Sequence, residues 1–360
     1  MKSVAIIGAG LSGVSCAHEL MRYGIIPTIF EKTATVGGKL DFPVAVLKMF
    51  NVPSKDPVKH LKKHYNINVK PFSEINEFTM KGPTKSLTVR ANLGLIFRRP
   101  PYSDSLESQI VKDYDPPVTF NTFAKASDLK NSFDYVVVAT ANMLDTMELG
   151  LFDILFDSYV RVATVTGRFK PGCVTLWFNT EYAKKAYAYL IPVDAKEARF
   201  ALIVDNITRN ELEHYWKEFF AIEDFPYKIV STRDVEHRAG VVDPVQKDNI
   251  LLTGNAGGFL DNVLGFGSMG AIVSGVTAAR SIACDLDYTR MVKPFTEDIK
   301  KKNDFRKVIN TFENKDFDRL ITLLGLPGIN HLIYHNPFFT ITQGTALARL
   351  YNSIKGKEKA

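Results

Sequence analysis

At 360 residues, 46% of them hydrophobic, the chain exceeds one small domain and has the apolar content for a core shared by two intertwined ones. Its net charge of +6 is dispersed apart from Lys300-Lys301-Lys302 and a lysine-rich tail. This reads as a solvated face rather than a nucleic-acid surface, with contact to an anionic membrane or acidic partner as the alternative. Cys16, Cys173 and Cys284 lie too far apart for a disulfide framework, and Cys16 and Cys284 are expected as small buried thiols on helices. No metal site is expected, since the histidines are scattered and the i, i+4 pair His331 and His335 is flanked by Pro327 and Pro337.

In chain order, Met1-Lys2-Ser3 feeds directly into the apolar strand Val4-Ala5-Ile6-Ile7, so no signal peptide is expected. Nor is there an uncharged apolar run of about 18 residues. A cytoplasmic location follows, with peripheral membrane contact left open. The strand runs straight into Gly8-Ala9-Gly10-Leu11-Ser12-Gly13. G-x-G-x-x-G between a strand and a helix places backbone N–H groups against a pyrophosphate. Gly8 makes the turn, Gly10 admits the phosphates and Gly13 lets helix pack on strand; Leu11 and Ser12 share the helix N-terminus. A second apolar run closes at Ile29-Phe30-Glu31, 18 residues beyond Gly13, where a carboxylate accepts hydrogen bonds from ribose hydroxyls and repels a 2′-phosphate. Lys32 follows it, and then Gly37-Gly38-Lys39, with Gly38 and Lys39 as further candidate contacts.

Thr88-Val89-Arg90 and Gly94 to Arg99 read as a strand pair, followed by a helix start capped by Ser103. Phe133 to Val138 then forms a strand leading back to the nucleotide at Ala139-Thr140-Ala141. From about 145 to 240 the pattern becomes short alternating runs suited to an antiparallel sheet, among them Lys185-Ala186-Tyr187-Ala188-Tyr189-Leu190-Ile191-Pro192. Asn249 to Leu252 is another apolar strand, ending in the turn Gly254-Asn255-Ala256-Gly257-Gly258. Leu264 to Ile272 brings Gly267-Ser268-Met269-Gly270 to the start of a small-residue helix, whose partial positive charge would face a developing anion. Beyond 285, Lys293 to Phe312 and Asp316 to Leu324 have helical spacing; with Leu332 to Tyr334, Phe338-Phe339 and Leu347 to Tyr351 they make an apolar cap. The cap is expected to pack on the protein's own core, with a substrate lid or membrane contact as alternatives.

The strand-Gly-Asn turn and the glycine-rich helix start resemble the second FAD-binding segment of flavoproteins. Asn255 stands where that family has an acid, and so brings no charge. The strand-Arg-x-x-x-Asp-x-x-Leu segment resembles that of flavoproteins with the p-hydroxybenzoate hydroxylase fold, in which the arginine lies over FAD; Arg99 is the candidate and Arg98 the alternative. Ala139-Thr140-Ala141 lacks the Asp-Gly of the hydroxylases of this fold, so Ala141 is a cofactor contact without that signature. Tyr187 and Pro192 match the ends of the Tyr-x-Trp-x-Phe-Pro stretch of the geranylgeranyl reductase family, while Tyr189 and Ile191 depart from its Trp and Phe.

The chain is thus similar to a diverged geranylgeranyl reductase over most of residues 1 to 285. The resemblance implies an α/β fold: a Rossmann-like FAD-binding domain in three ββα layers (1–145 and 241–285), an inserted antiparallel-sheet substrate domain (146–240) and a C-terminal helical cap (286–360). It implies FAD as cofactor, an isoprenoid double bond as the group reduced, and NAD(P)H or a reduced ferredoxin as donor. Tyr187, Tyr189, Ile191 and Pro192 would line the substrate cavity, with Tyr187 as wall or proton relay. Glu31 to Lys39 also resembles amine oxidases and phytoene desaturases, whose FAD takes hydride from the substrate. A monooxygenase and a non-catalytic flavin- or lipid-binding protein are the remaining alternatives.

Overall fold

Apolar alternation sorts the strands into two sheets in the computed structural model, which describes residues 2–38, 43–48 and 56–336. Lys39, Pro337, Phe338-Phe339 and Leu347 to Tyr351 lie outside the described residues. The first sheet runs in the order Gln246–Lys247, Ile250–Leu252, Tyr135–Val138, Val4–Ile7, Thr28–Phe30, Val118–Thr119. All its neighbours are parallel except the first pair. Its central strands are continuous apolar runs because both faces are covered: every residue of Val4–Ile7 and Ile250–Leu252 is buried. The helices Leu11–Arg22 and Ser268–Cys284 pack against each other closely enough that a Cβ on Gly275 would lie 2.2 Å from the Ser12 carbonyl oxygen. Cys16 is buried as expected, but Cys284, the last residue of its helix, is exposed.

The second sheet has eight strands, in the order Lys228–Val242, Phe152–Thr166, Glu197–Asp205, Ala188–Pro192, Cys173–Trp177, Ser73–Lys81, Ser86–Phe97, Val44–Leu47. It draws strands from both sides of residue 145, and its one parallel join, Ser73–Lys81 with Cys173–Trp177, lies where the two contributions meet. The short runs expected between 145 and 240 include two 15-residue strands, Phe152–Thr166 and Lys228–Val242, paired along their length. Likewise the expected pair Thr88 to Arg90 and Gly94 to Arg99 is one strand, Ser86–Phe97. Gly94 reads as a break in the sequence but is a crossing point: a Cβ there would lie 2.5 Å from the Val46 carbonyl oxygen on the neighbouring strand. The helix after it starts at Leu106, capped by Ser105 rather than Ser103, with Ser105 Oγ accepting from Ser108 N at 3.2 Å.

Period-2 geometry gives this sheet two different faces. Leu190, Phe200, Leu202 and Val204 pack with Trp177 under the helix Leu212–Glu223, which contributes Trp216 and Phe219. The alternate residues Tyr189, Ile191 and Ile203 point the other way, toward the first sheet. Helices Tyr288–Ile309 and Asn314–Gly325 follow. Phe312, Phe317 and Ile321 from this region are buried against the protein. No helix among the described residues is long and apolar enough to cross a membrane.

Candidate functional site

Between the two sheets lies a cavity of about 530 Å³, within the roughly 300–1,000 Å³ of ligand pockets. Its first half is built by the glycine turns. Gly8 has φ +101°, a conformation that disfavours a side chain, and a Cβ on Gly13 would lie 1.9 Å from the Gly8 carbonyl oxygen. A Cβ on Gly10 would meet nothing within 4 Å, because Gly10 faces the cavity. Gly10 is the N-cap of its helix, and no side chain caps it. The helix at Ser268 likewise begins at an N-cap glycine, Gly267, without a side-chain cap, and Gly267 and Ser268 line the same cavity. Two helix N-termini more than 250 residues apart in sequence thus border one space, each with unsatisfied donors and partial positive charge.

Glu31, Lys32 and Gly38 line this half with Leu11, Ser12, Ala141 and Asn255. The Glu31 carboxylate accepts from Ala9 N at 2.8 Å, from Thr33 N at 2.8 Å and from Thr33 Oγ1 at 2.7 Å. A carboxylate has about four acceptor positions, so Glu31 ties its own loop together and retains limited capacity for a ribose. Glu31→Ala is therefore expected to weaken nucleotide binding by roughly 1.5–3 kcal/mol, the value of hydrogen bonds to a charged group, and also to lower the melting temperature of the ligand-free protein. Titration with cofactor alongside thermal unfolding checks both.

Of the two arginines, Arg99 lines the cavity and Arg98 does not. Arg98 ion-pairs with Asp104 at 3.2 Å, with its guanidinium 3.8 Å from the Phe72 ring centroid. Arg99 Nε lies 2.5 Å from Oε1 of Glu107, which is fully buried. Burial raises the Glu107 carboxyl above the usual range, and Arg99 opposes the shift. The Gly37 turn closes over this pair: a Cβ there would lie 2.7 Å from Pro100 Cγ and 3.0 Å from Glu107 Oε1. Asn255 Nδ2 donates to the Ala141 carbonyl at 3.4 Å, joining the two distant turns.

Four expected contacts are placed elsewhere. Gly13 and Gly254 do not line the cavity; they let elements pack, and a Cβ on Gly254 would lie 2.7 Å from Ser12 Oγ. Met269, one residue into its helix, turns to a separate recess of about 50 Å³ beside Asp261 and Lys302. Pro192 ends its strand away from the cavity lining.

The second half of the cavity is the inner sheet face. Register places Tyr187, Ile203, Val160 and Val235 in one row across four strands, and Leu176, Tyr189 and Val162 in the next. The Tyr187 hydroxyl donates to the Leu264 carbonyl, which holds the loop before Ser268 against the sheet. Burial raises the pKa of Tyr187, and pushes Tyr189 up to about 12. His237, not anticipated from the sequence, lies two residues beyond Val235 and so on the same face, lining the cavity. Burial lowers its pKa, with Asp157 opposing, so the imidazole is neutral at neutral pH. Nothing in its strand marks it, since its neighbours come from other strands and the Gly265 loop. His331 and His335 stack at 5.5 Å between ring centroids, and no metal-ligating cluster occurs among the described residues.

Comparison with known proteins agrees with this geometry. Residues 6–53 match the model of the NAD(P)-binding Rossmann-like domain. Over 48 residues the chain is 46% identical to the glutamate synthase [NADPH] small chain of Halomonas elongata, and 42% identical to that of Escherichia coli; each match spans 13% of this chain and 10% of that protein. Across nearly the whole chain, a geranylgeranyl bacteriochlorophyll reductase-like protein from Thermoplasma acidophilum superposes with a TM-score of 0.73 at 14% identity, covering 96% of this chain and 99% of that one. A flavin-dependent brominase (TM-score 0.66, 13% identity, 99% of each chain) and a flavin-dependent halogenase (0.65, 15%, 98% of this chain and 77% of that one) share the architecture. The chain has their fold. The expected resemblance to geranylgeranyl reductase-type proteins is met at that level, together with a Rossmann-like first unit. The residues present fit an adenine dinucleotide: Gly10 leaves a Cβ-sized opening at an uncapped helix end, and Arg99 borders the same space.

Proposed function

We propose that the chain binds FAD in the glycine-lined half of the cavity and is an FAD-dependent oxidoreductase that reduces a carbon–carbon double bond of an isoprenoid lipid. The observation that carries this reading is the convergence of two uncapped helix N-termini on one cavity that continues onto an apolar sheet face. Gly10 and the Leu11–Arg22 helix would hold the pyrophosphate, Glu31 the ribose, and Gly267 and Ser268 the pyrimidine edge of the flavin. When bound and reduced, FAD would supply a hydride to one carbon of an alkene held against it, and the other carbon would take a proton from solvent.

The chain's own residues position and dry that alkene. Val160, Val162, Val174, Leu176 and Ile203 offer an apolar surface without acid–base pairs, which suits a reaction governed by contact distance. Tyr187 acts as wall and as latch on the 264 loop, because its proton is committed to the Leu264 carbonyl. NAD(P)H or a reduced ferredoxin is the proposed donor, and the cap after residue 285 would limit access to the sheet.

Absorption spectra of the purified protein test the reading. A flavin band that bleaches under anaerobic dithionite and returns on addition of a geranylgeranyl lipid is the expected result. A bleached band indifferent to the lipid but restored by oxygen with a hydroxylated product would shift the reading to a monooxygenase. A protein unable to take up FAD would overturn it.

A further inference from the structure

The sheet half of the cavity is not purely apolar. Tyr189 and His237 line it, and among the described residues neither the Tyr189 hydroxyl nor the His237 ring has a hydrogen-bond partner. Both residues are half-buried, their open sides being the cavity. Tyr187 differs, since its hydroxyl is already bonded to Leu264. Tyr187 stands between the other two rings. Tyr187 and Tyr189 have centroids 6.2 Å apart, and a Cβ built on Gly265 would lie 3.9 Å from His237 Nε2 and 4.0 Å from Tyr187 Oη.

A hydrocarbon filling this space would strip water from an imidazole and a phenol and return nothing, so full complementarity requires an oxygen on the ligand. The charge around these rings decides which kind. The cationic side chains on the lining, Lys32, Arg99 and Lys125, belong to the nucleotide half. Beside His237, the acids Glu236, which is on the lining, and Asp157, which acts on the imidazole, both pair with Arg238, at 2.5 and 3.4 Å, so that one cation already faces two carboxylates. Behind Tyr187, Arg306 is buried, donating to the Lys185 carbonyl with its guanidinium 4.3 Å from the Phe156 ring centroid, and its charge faces Asp205 and Asp261. A phosphate or carboxylate would therefore be desolvated beside cations that acids already offset.

We infer that this half of the cavity holds an amphiphile whose apolar body lies on the sheet face and whose uncharged hydroxyl or carbonyl oxygen is hydrogen-bonded by His237 or by Tyr189. The inference rests on the reading of this cavity as the substrate chamber and narrows the substrate class to neutral, oxygen-bearing molecules.

Calorimetric titration of the purified holoprotein tests it, with geraniol, the same carbon skeleton lacking the hydroxyl, geranyl phosphate, and the pair 1-decanol and decane as probes. In the unaltered protein each alcohol is expected to bind about tenfold more tightly than its hydrocarbon, the worth of one to two hydrogen bonds, and geraniol more tightly than geranyl phosphate. His237→Phe or Tyr189→Phe should reduce that preference while flavin content and melting temperature stay near those of the parent. His237→Met serves if the phenylalanine variant fails to fold. A preference confined to the decanol pair would uphold the neutral oxygen and sink the isoprenoid reading. Equal binding of alcohol and hydrocarbon, an undiminished preference in both variants, tightest binding of the phosphate, or no binding of any probe would overturn the inference. Failure of the FAD reading has a different signature, a colourless protein whose calorimetric preference persists.

Discussion

Gly13→Ala and Gly10→Ala are expected to fail in opposite ways, although the two glycines belong to one motif. At Gly13 the new methyl would lie 1.9 Å from the Gly8 carbonyl oxygen and 3.3 Å from Ala139 Cβ. The obstacle is backbone, so the helix Leu11–Arg22 must move off its strand. That overpacks a region where Ala5, Ala9 and Val14 are fully buried. A loss of at least the roughly 1–3 kcal/mol of a core overpacking is expected, with cofactor binding lost as a consequence, because the helix end moves with the helix. At Gly10 the methyl meets no protein atom within 4 Å. The ligand-free Gly10→Ala protein should melt within about 1 kcal/mol of the parent, as the Gly-to-Ala change itself is small. Its affinity for FAD should nonetheless fall, since the methyl occupies the approach of the phosphates. Thermal unfolding of both ligand-free proteins, followed by flavin titration, separates the cases. A Gly13→Ala protein of parental stability would show that the close packing is wrongly described.

Glu107→Ala is expected to have the other large effect. It leaves Arg99, whose side chain is 11% exposed, without the carboxylate 2.5 Å from its Nε. Removing one partner of a buried ion pair costs about 3–5 kcal/mol. Arg99→Met should be milder, because the stranded group is then a carboxyl that can take up a proton. Its pKa is already raised by burial in the presence of Arg99. An acid whose folded pKa exceeds its unfolded value contributes stability that is full below the unfolded pKa and is lost as pH rises through the folded one. Removing the arginine raises the folded value further, so Arg99→Met should gain stability relative to the parent as pH is lowered toward the ordinary glutamate range. Denaturant midpoints across the acidic to neutral range check the slope; a parallel pair of curves for parent and variant would rule out this role for Glu107. The same pair holds the Gly37 turn, so Glu107→Ala should also weaken cofactor binding.

The contrast between the glycines shows how far one motif can be read. Strand, turn, helix and acid over Val4 to Glu31 are local in sequence, and their geometry follows from steric rules within a single βαβ unit. They stand as expected, as do the strand at Ile250–Leu252 and the helix from Ser268. Within that motif the roles of Gly10 toward a ligand and Gly13 toward the strand were legible as well. In the second glycine-rich segment they were not: Gly254 and Met269 sit in the right turns yet point into packing or a neighbouring recess, since side-chain direction depends on the element packed behind each turn.

Arg99 over Arg98 was likewise a choice between adjacent residues that point to opposite sides of an extended segment. Phe72, Tyr102 and Asp104 claim one, and buried Glu107 fixes the other. The second sheet departed furthest from its sequence pattern. Strands of residues 44–97 join strands beyond 152, and a long strand with one bulge looks like two short ones until its partners are known.

The sequence by itself determined the dinucleotide unit and the α/β class, because each depends on local steric rules and on apolar runs of fixed period, while the pairing of the two glycine-rich ends came from the resemblance to flavoproteins. Only the tertiary structure brought Tyr189 and His237 to one cavity. Those placements depend on the register of strands distant along the chain, and a one-residue shift in that register would send the same side chains to the opposite face.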